Sequence, residues 1–238
     1  MERITLFGMS HSLKIAIIGD YNFTFNSHQA TNLALDHSSR FLEVDLSYYW
    51  IKTNDSSLTR TNYFSQFDGV WVAPGPYQNA FFLAGIMKHL TTLDIPVLLT
   101  GDCYKNLVEM LINAYQLNPH AEKLISDNLV EGSHFDQIEI VPHSNAFIQL
   151  YENHSPVELT SSRYSLYPQL IDSLTEFIID IEAYNQFEEP EIISLKNHNF
   201  FVACGFCPQI SSTRELPHPM VYTFLKAVIG NVARSKTA

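Results

Sequence analysis

The residue best suited to chemistry is Cys103. It stands in Gly101-Asp102-Cys103, between a short apolar run, Pro96 to Thr100, and a segment with apolar residues at Leu107, Met110 and Leu111. The run reads as a buried strand and the later spacing as one face of a helix. Strand, sharp turn and helix together make a nucleophile elbow, which projects the corner side chain above the sheet beside helix N–H groups that favour an anion. A thiolate would be used there. A lone Cys in an apolar setting also serves as a small buried hydrophobe, and the local pattern leaves both readings open. The other two cysteines fall in Cys204-Gly205-Phe206-Cys207. Redox motifs of that spacing sit at a helix N-terminus in a thioredoxin-like unit, whereas Cys204 lies at a predicted strand end.

The elements that must position these residues follow from periodicity. Lys14 to Gly19 is an apolar run ending in Gly and reads as a first buried strand. Ser27 is the expected N-cap of a helix through about His37. Phe41 to Trp50 alternates and is rich in β-formers, which predicts a second strand, followed by polar loop from Thr53 to Gln66. Asp68 to Ala73 is a third strand closed by Pro74-Gly75-Pro76, and a helix is predicted from about Asn79 to Leu93. Beyond Tyr115 the pattern loosens. Gln137 to Val141 and Ala146 to Tyr151 read as strands, with Val157 to Thr160 pairing beside them. Phe177 to Ala183 and Glu191 to Leu195 form a hairpin with Phe187 to Pro190 at its tip. Phe200 to Cys204 is the last strand, and His218 caps a final helix from Pro219 to about Val232. The fold class is therefore α/β: a doubly wound, mostly parallel central sheet with helices on both faces, plus an antiparallel excursion around residues 135 to 200. No repeat or linker divides residues 1 to 238, so a single domain is expected.

Bulk properties narrow the function classes. The 238 residues are 46% apolar and 16% charged, as in a well-buried globular chain rather than a disordered one. A formal net charge of −11 argues against nucleic-acid binding, which needs clustered Lys and Arg. No apolar run is long enough to span a membrane, and Met1 to His11 lacks the basic-then-apolar pattern of a secretory signal. Three cysteines are too few for a disulfide scaffold, so a cytoplasmic location is expected.

Several motifs in register resemble the class I glutamine amidotransferases, and within them the glutaminase region of CTP synthase and its stand-alone C-terminal-region relatives. Ile17 to Tyr21 stands where that family has a strand ending Gly-Lys-Tyr, and Asp68 to Gly75 where a strand ends in Pro-Gly-Gly. Gly101-Asp102-Cys103 matches the Gly-x-Cys elbow, and Pro119-His120-Ala121-Glu122 a segment of the stand-alone relatives. Ser162 to Pro168 resembles an Arg-Tyr-x-x-Asn-Pro stretch, and Phe200 to Gln209 the strand that ends in His-Pro-Glu. The resemblance runs from about Lys14 to Ile229 and implies a flavodoxin-like fold.

It also implies a Cys-His-Glu triad, in which the Cys attacks the carboxamide of glutamine, the His activates it and the Glu orients the His. Cys103 keeps the nucleophile position, but the His position falls on Cys207 and the Glu position on Gln209. The oxyanion-hole region falls on Gly75, Pro76 and Tyr104, and Pro76 has no N–H to donate. The Gly and Gln after the elbow become Lys105 and Leu107. Arg163 and Tyr164 fall where the family holds the α-carboxylate of glutamine, a task suited to Arg. His120, His134, His143, His198 and His218 are the histidines considered as substitute bases, and none lies in a strand-end context aimed at the elbow.

The expectation is a degenerate, non-hydrolysing protein that binds a glutamine-like carboxylate or a partner, with no cofactor and no resident metal. Two alternatives stand beside it: a Cys103-dependent amidotransferase working with a partner synthetase, and a redox or metal site shared by Cys103 and Cys207.

Overall fold

The computed structural model describes residues 12–60, 62–131 and 134–235, apart from the side chain of Thr59. Nine strands form one sheet in the order β2-β1-β3-β4-β9-β8-β7-β5-β6. Strands β1 (Leu13–Ile18), β2 (Leu46–Ile51), β3 (Gly69–Val72), β4 (Val97–Thr100) and β9 (Phe201–Cys204) are parallel. Every residue of β3, β4 and β9 is buried, as expected for strands covered on both faces. The antiparallel excursion is β8 (Pro190–Leu195), β7 (Ile179–Asn185), β5 (Asp136–Pro142) and β6 (Val157–Thr160). Strand β5 pairs with β6 over Asp136 to Glu139 and with β7 over Ile140 to Pro142.

Helices α1 (Asn26–Phe41) and α7 (Pro219–Ser235) pack on one face, where Leu35, Trp71, Phe224 and Val228 share a core. On the other face lie α2 (Ala80–Leu90), α3 (Cys103–Tyr115) and α5 (Pro168–Phe177), around Leu83, Met87, Leu107 and Leu174. Among its described residues the β2–β3 crossover carries two 3-10 turns, Ser56–Thr59 and Tyr63–Gln66.

Several sequence expectations need correction. Helix α1 is capped at Phe25, before Ser27, which lies inside the helix and lends its carbonyl to the Thr31 hydroxyl. The same helix runs on through Phe41, and Glu43 takes a left-handed φ of 55° before β2 begins at Leu46, so 41–45 is helix end and turn. Residues 146–151 are not a strand but most of α4 (Asn145–Tyr151), because the Ser144 hydroxyl accepts the Phe147 N–H and caps a helix. Phe177 ends α5 rather than opening β7, and Pro168 at its first position with apolar Leu170, Ile171 and Leu174 were its signals. Residues 208–211 form the short helix α6 (Pro208–Ser211).

Candidate functional site

The ends of β3, β4 and β9 meet at one corner. Gly101 turns the chain after β4 with φ +69°, and its N–H lies 3.0 Å from the Cys204 carbonyl and 2.9 Å from that of Phe206. A Cβ at position 101 would lie 3.1 Å from Pro74 Cβ and 3.2 Å from Cys207 Sγ, so both conformation and space select glycine. Asp102 Oδ2 lies close over Gly75, and the Tyr77 hydroxyl donates to the Ala73 carbonyl at 2.6 Å. The structure thus brings together three separated stretches that the sequence singled out: Pro74-Gly75-Pro76, Gly101-Asp102-Cys103 and Cys207-Pro208-Gln209.

The loops around the corner are tied by two residues that sequence reasoning passed over. Asp20 accepts from the Thr53 N–H at 3.1 Å, the Thr53 hydroxyl at 2.7 Å and the Gln78 N–H at 2.7 Å, clamping the ends of β1, β2 and β3. His28, fully buried on α1, accepts the Asn22 N–H on Nδ1 at 3.0 Å, which leaves the Nε2 proton to donate to the Pro74 carbonyl at 3.0 Å. A histidine therefore does reach the corner, as a positioning residue for the Pro74 turn.

Cys103 is the first residue of α3 and has no exposed surface. Its side chain does not project above the sheet: the thiol points back into the core, within 3.1 Å of the Thr100 carbonyl and 3.4 Å of that of Val72. Carbonyl acceptors favour S–H over S⁻. Burial pushes this thiol well above its ordinary range; hydrogen bonding with Tyr77 opposes the rise, and the Asp102 carboxylate and Cys207 add to it. Cys207, equally buried, is pushed up to about 12 by burial first and Asp102 second. Cys204, at the end of β9, is also raised by burial. Two of the three oxyanion-hole positions offer no free N–H. Pro76 has no N–H, and the Tyr104 N–H is bonded to the Gly101 carbonyl at 2.9 Å while its hydroxyl reaches Pro190 O at 2.8 Å.

Gln209 is buried in the first turn of α6, and neither its amide oxygen nor its nitrogen finds a partner among the described residues. Tyr164 lies beside the elbow, with the Lys105 ammonium 4.9 Å from its ring centre. Arg163 is engaged elsewhere, by the β7–β8 hairpin. Its guanidinium pairs with Glu189 at 3.4 Å and stacks 4.4 Å from the Phe187 ring. Glu189 also accepts from Ser165 and from Asn185.

A second polar group lies on the β6 side. The fully buried Glu158 accepts from His218 Nε2 at 2.7 Å, the Tyr151 hydroxyl at 3.1 Å and the Ser211 hydroxyl at 3.3 Å, with His154 Nε2 at 4.0 Å. Ligand-type atoms of His154, Glu158 and His218 lie within 4.8 Å of one another. The arrangement nevertheless suits a metal poorly. His218 Nδ1 accepts the Met220 N–H at 3.1 Å, capping α7 as the sequence implied, so the proton resides on Nε2 where a metal would need a lone pair. The network instead satisfies a buried carboxylate with three neutral donors. Glu158 gave no sequence signal, because it alternates within β6 like an outward-facing residue.

No protein-family model matches the chain. It is 25% identical over 247 residues to the CTP synthase of Sulfurisphaera tokodaii, and 24% identical over 250 residues to that of Nostoc punctiforme. These alignments cover 92% of this chain but 45% and 44% of the two enzymes, so the chain spans about half the length of the curated relatives it matches. Among solved structures it is similar to the glutaminase domain of Trypanosoma brucei CTPS with bound acivicin. The TM-score there is 0.71 at 16% identity, covering 92% of this chain and 94% of that one. A glutamine amido transferase from Methylobacillus flagellatus superposes with TM-score 0.53 at 8% identity, covering 94% of each chain. The fold is that of the class I glutamine amidotransferases, with its antiparallel part. Among the described residues no helix is long and apolar enough to cross a membrane.

Proposed function

We propose that this chain, related in sequence to CTP synthases and folded like their glutaminase domain, binds without hydrolysing glutamine. The observation that carries the reading is the corner itself. The nucleophile-position thiol is buried and turned to carbonyls, the residue at the general-base position is a second protonated thiol, and two of the three oxyanion-hole positions, Pro76 and Tyr104, offer no free N–H. Thiol catalysis needs a thiolate and an adjacent base, and oxyanion donors each contribute ~10²–10³ in rate. The groups bearing on the Cys103 charge are Tyr77, Thr100, Asp102 and Cys207, none of them an imidazole.

The bound species in this reading is a small glutamine-like carboxylate or a partner protein, and the chain acts as a binding or regulatory subunit in the cytoplasm. Glu189 already neutralises Arg163, so a carboxylate ligand would enter by displacing Glu189 from the guanidinium. The test is ammonia and glutamate release from glutamine by the wild type and by Cys103→Ala, alone and with a candidate synthetase. Equal background in both is expected. Turnover by the wild type alone would overturn the reading and favour the amidotransferase alternative. Stabilisation by glutamine that is lost in Arg163→Ala would identify the carboxylate site.

The convergence of Cys207 with the Cys103 turn supports one second reading, a thiol pair. A fall in free-thiol count on mild oxidation, blocked by Cys207→Ser, would favour it.

A further inference from the structure

The sheet has two edges, β2 and β6, and they are finished differently. Strand β6 is four residues long, follows Pro156 and is covered from outside. Helix α6 packs on it, and the Cys207 N–H donates to the Leu159 carbonyl at 2.8 Å. Short length, proline and a covering segment are common ways of keeping an edge from pairing. Strand β2 has none of them. It runs six residues, Leu46 to Ile51, in unbroken register with β1 and with neither proline nor charge inside it.

Its outer side is free to bond. The Leu13 N–H donates to the Asp45 carbonyl and the Gly19 N–H to that of Ile51, so the odd-numbered residues of β2 turn their main chain to β1. The main-chain groups of Leu46, Tyr48 and Trp50 therefore face outward, and none has a partner there among the described residues. The flanking layers lean inward: α1 packs on α6 and α7, and the turn Ser56–Thr59 on α2.

The order of side chains fits the strand to a copy of itself. Turned antiparallel about a two-fold axis at Tyr48, two such edges bring Tyr48 opposite Tyr48 and Leu46 opposite Trp50. All three side chains lie on the α1 face, already partly buried. On the other face Tyr49, 49% exposed, meets Ser47 of the second copy. Aromatic and aliphatic pairs of this kind stabilise antiparallel neighbours. Charge at the flanks selects the direction. Asp45 precedes β2 and Lys52 follows it, and neither has an ion pair among the described residues. Antiparallel pairing sets the acidic end of each strand beside the basic end of the other, whereas parallel pairing sets like beside like.

We propose that the free edge of β2 pairs with β2 of a second copy of this chain, giving a two-fold dimer whose sheet continues across the interface. The interface is separate from the Cys103 corner and does not depend on what that corner does.

Sedimentation of the full chain over ~1–200 µM tests this, at about 0.15 M salt, where repulsion between two acidic chains is screened beyond ~8 Å. A reversible monomer–dimer equilibrium is expected, with a dissociation constant of ~1–100 µM for so narrow an interface. Tyr48→Lys brings two ammonium groups together on the axis and should weaken the dimer at least ~tenfold. Tyr48 is partly buried, so a second pair of variants separates association from folding. Ser47→Lys/Tyr49→Lys sets like charges opposite each other across the interface, and Ser47→Lys/Tyr49→Glu sets opposite charges at the same two positions. The first should dissociate at least ~tenfold more readily than the second. A chain that stays monomeric throughout overturns the proposal, as does growth past the dimer. Equal dimerisation by the two charge variants, or a dimer left intact by a Tyr48→Lys chain that circular dichroism shows to be folded, would also overturn it.

Discussion

Glu191 offers a quantitative check on the sheet interior. It sits at 5% exposure on β8, with one carboxylate oxygen accepting from Asn185 Nδ2 at 3.2 Å and the other pressed against Gly205, where any Cβ would collide with it. Burial raises its pKa from the ordinary 4.5 to about 8, with Glu189 adding to the rise and Asn185 and Arg163 opposing it. The folded protein therefore holds a proton that the unfolded chain releases between pH 4.5 and about 8. The stability this group confers is full below pH 4.5 and drains away as pH rises through that window. A gap of about 3.5 pH units at ~1.36 kcal/mol each is ~5 kcal/mol, of which ~3.5 kcal/mol is lost between pH 5 and pH 8.

Glu191→Gln keeps the shape of the protonated side chain and a carbonyl for Asn185, but it cannot ionise. Urea unfolding followed by tryptophan fluorescence, run on both proteins from pH 5 to pH 8, isolates the term as the difference between the two curves. At pH 5 the variant should match the wild type within ~1 kcal/mol, the cost of one imperfect hydrogen bond. At pH 8 it should be the more stable by ~2–4 kcal/mol. Parallel curves across the range, or a variant that is weaker at pH 8, would show that Glu191 is ionised in the fold and that the reasoning from burial fails here.

Gly101→Ala forces a Cβ into a left-handed turn between Pro74 and Cys207 and should cost ~2 kcal/mol or more in denaturant unfolding. Gly85→Ala on α2, where a Cβ meets nothing within 4 Å, should instead stabilise by ~0.5–1 kcal/mol. All three thiols are fully buried, so Ellman's reagent should titrate fewer than one per chain in the native protein within minutes and three after unfolding. Burial lowers the pKa of His154, with His218 contributing and Glu158 opposing. The unfolded chain therefore takes up its proton first on acidification, and stability should fall as pH drops below ~6.5, a loss that His154→Gln should reduce.

Much of this was legible in the sequence because strand signals are strongest where strands are buried on both faces. The apolar runs at 14–19, 68–73, 96–100 and 200–204 all became central parallel strands. Their ends also carried the motifs, which is why Cys103, Gly75, Pro76 and Cys207 arrive at one corner. Errors fell where a side chain decided the local conformation. The Ser144 cap turned 145–151 from an alternating run into a helix, and Pro168 opened a helix that apolar spacing alone left unassigned. The direction of the Cys103 thiol was not readable, since it depends on which carbonyls the turn leaves beneath it. Nor was the Glu189 partner of Arg163, which lies 26 residues away in the β7–β8 turn. Asp20, His28 and Glu158 share one trait: each binds groups distant in sequence, and residue type alone does not distinguish such a clamp from an ordinary loop, helix or strand residue.

The place of β9 has a consequence for how the chain is assembled. It is the last of the nine strands in sequence, yet it lies between β4 and β8 and, among the described residues, joins the parallel and antiparallel halves of the sheet. Until residues 201–204 emerge, each half ends in a row of unpaired backbone groups facing the other. During synthesis the chain must carry two open seams until Leu195 is well past, and a protein cut short before Phe201 would keep them both. Closure by so late a strand, pairing with β4 a hundred residues away, makes folding slow relative to local helix formation. Truncated or stalled chains should therefore be captured by one another through β4 and β8, and the full-length protein should refold with a late phase in which both halves gain protection from hydrogen exchange together.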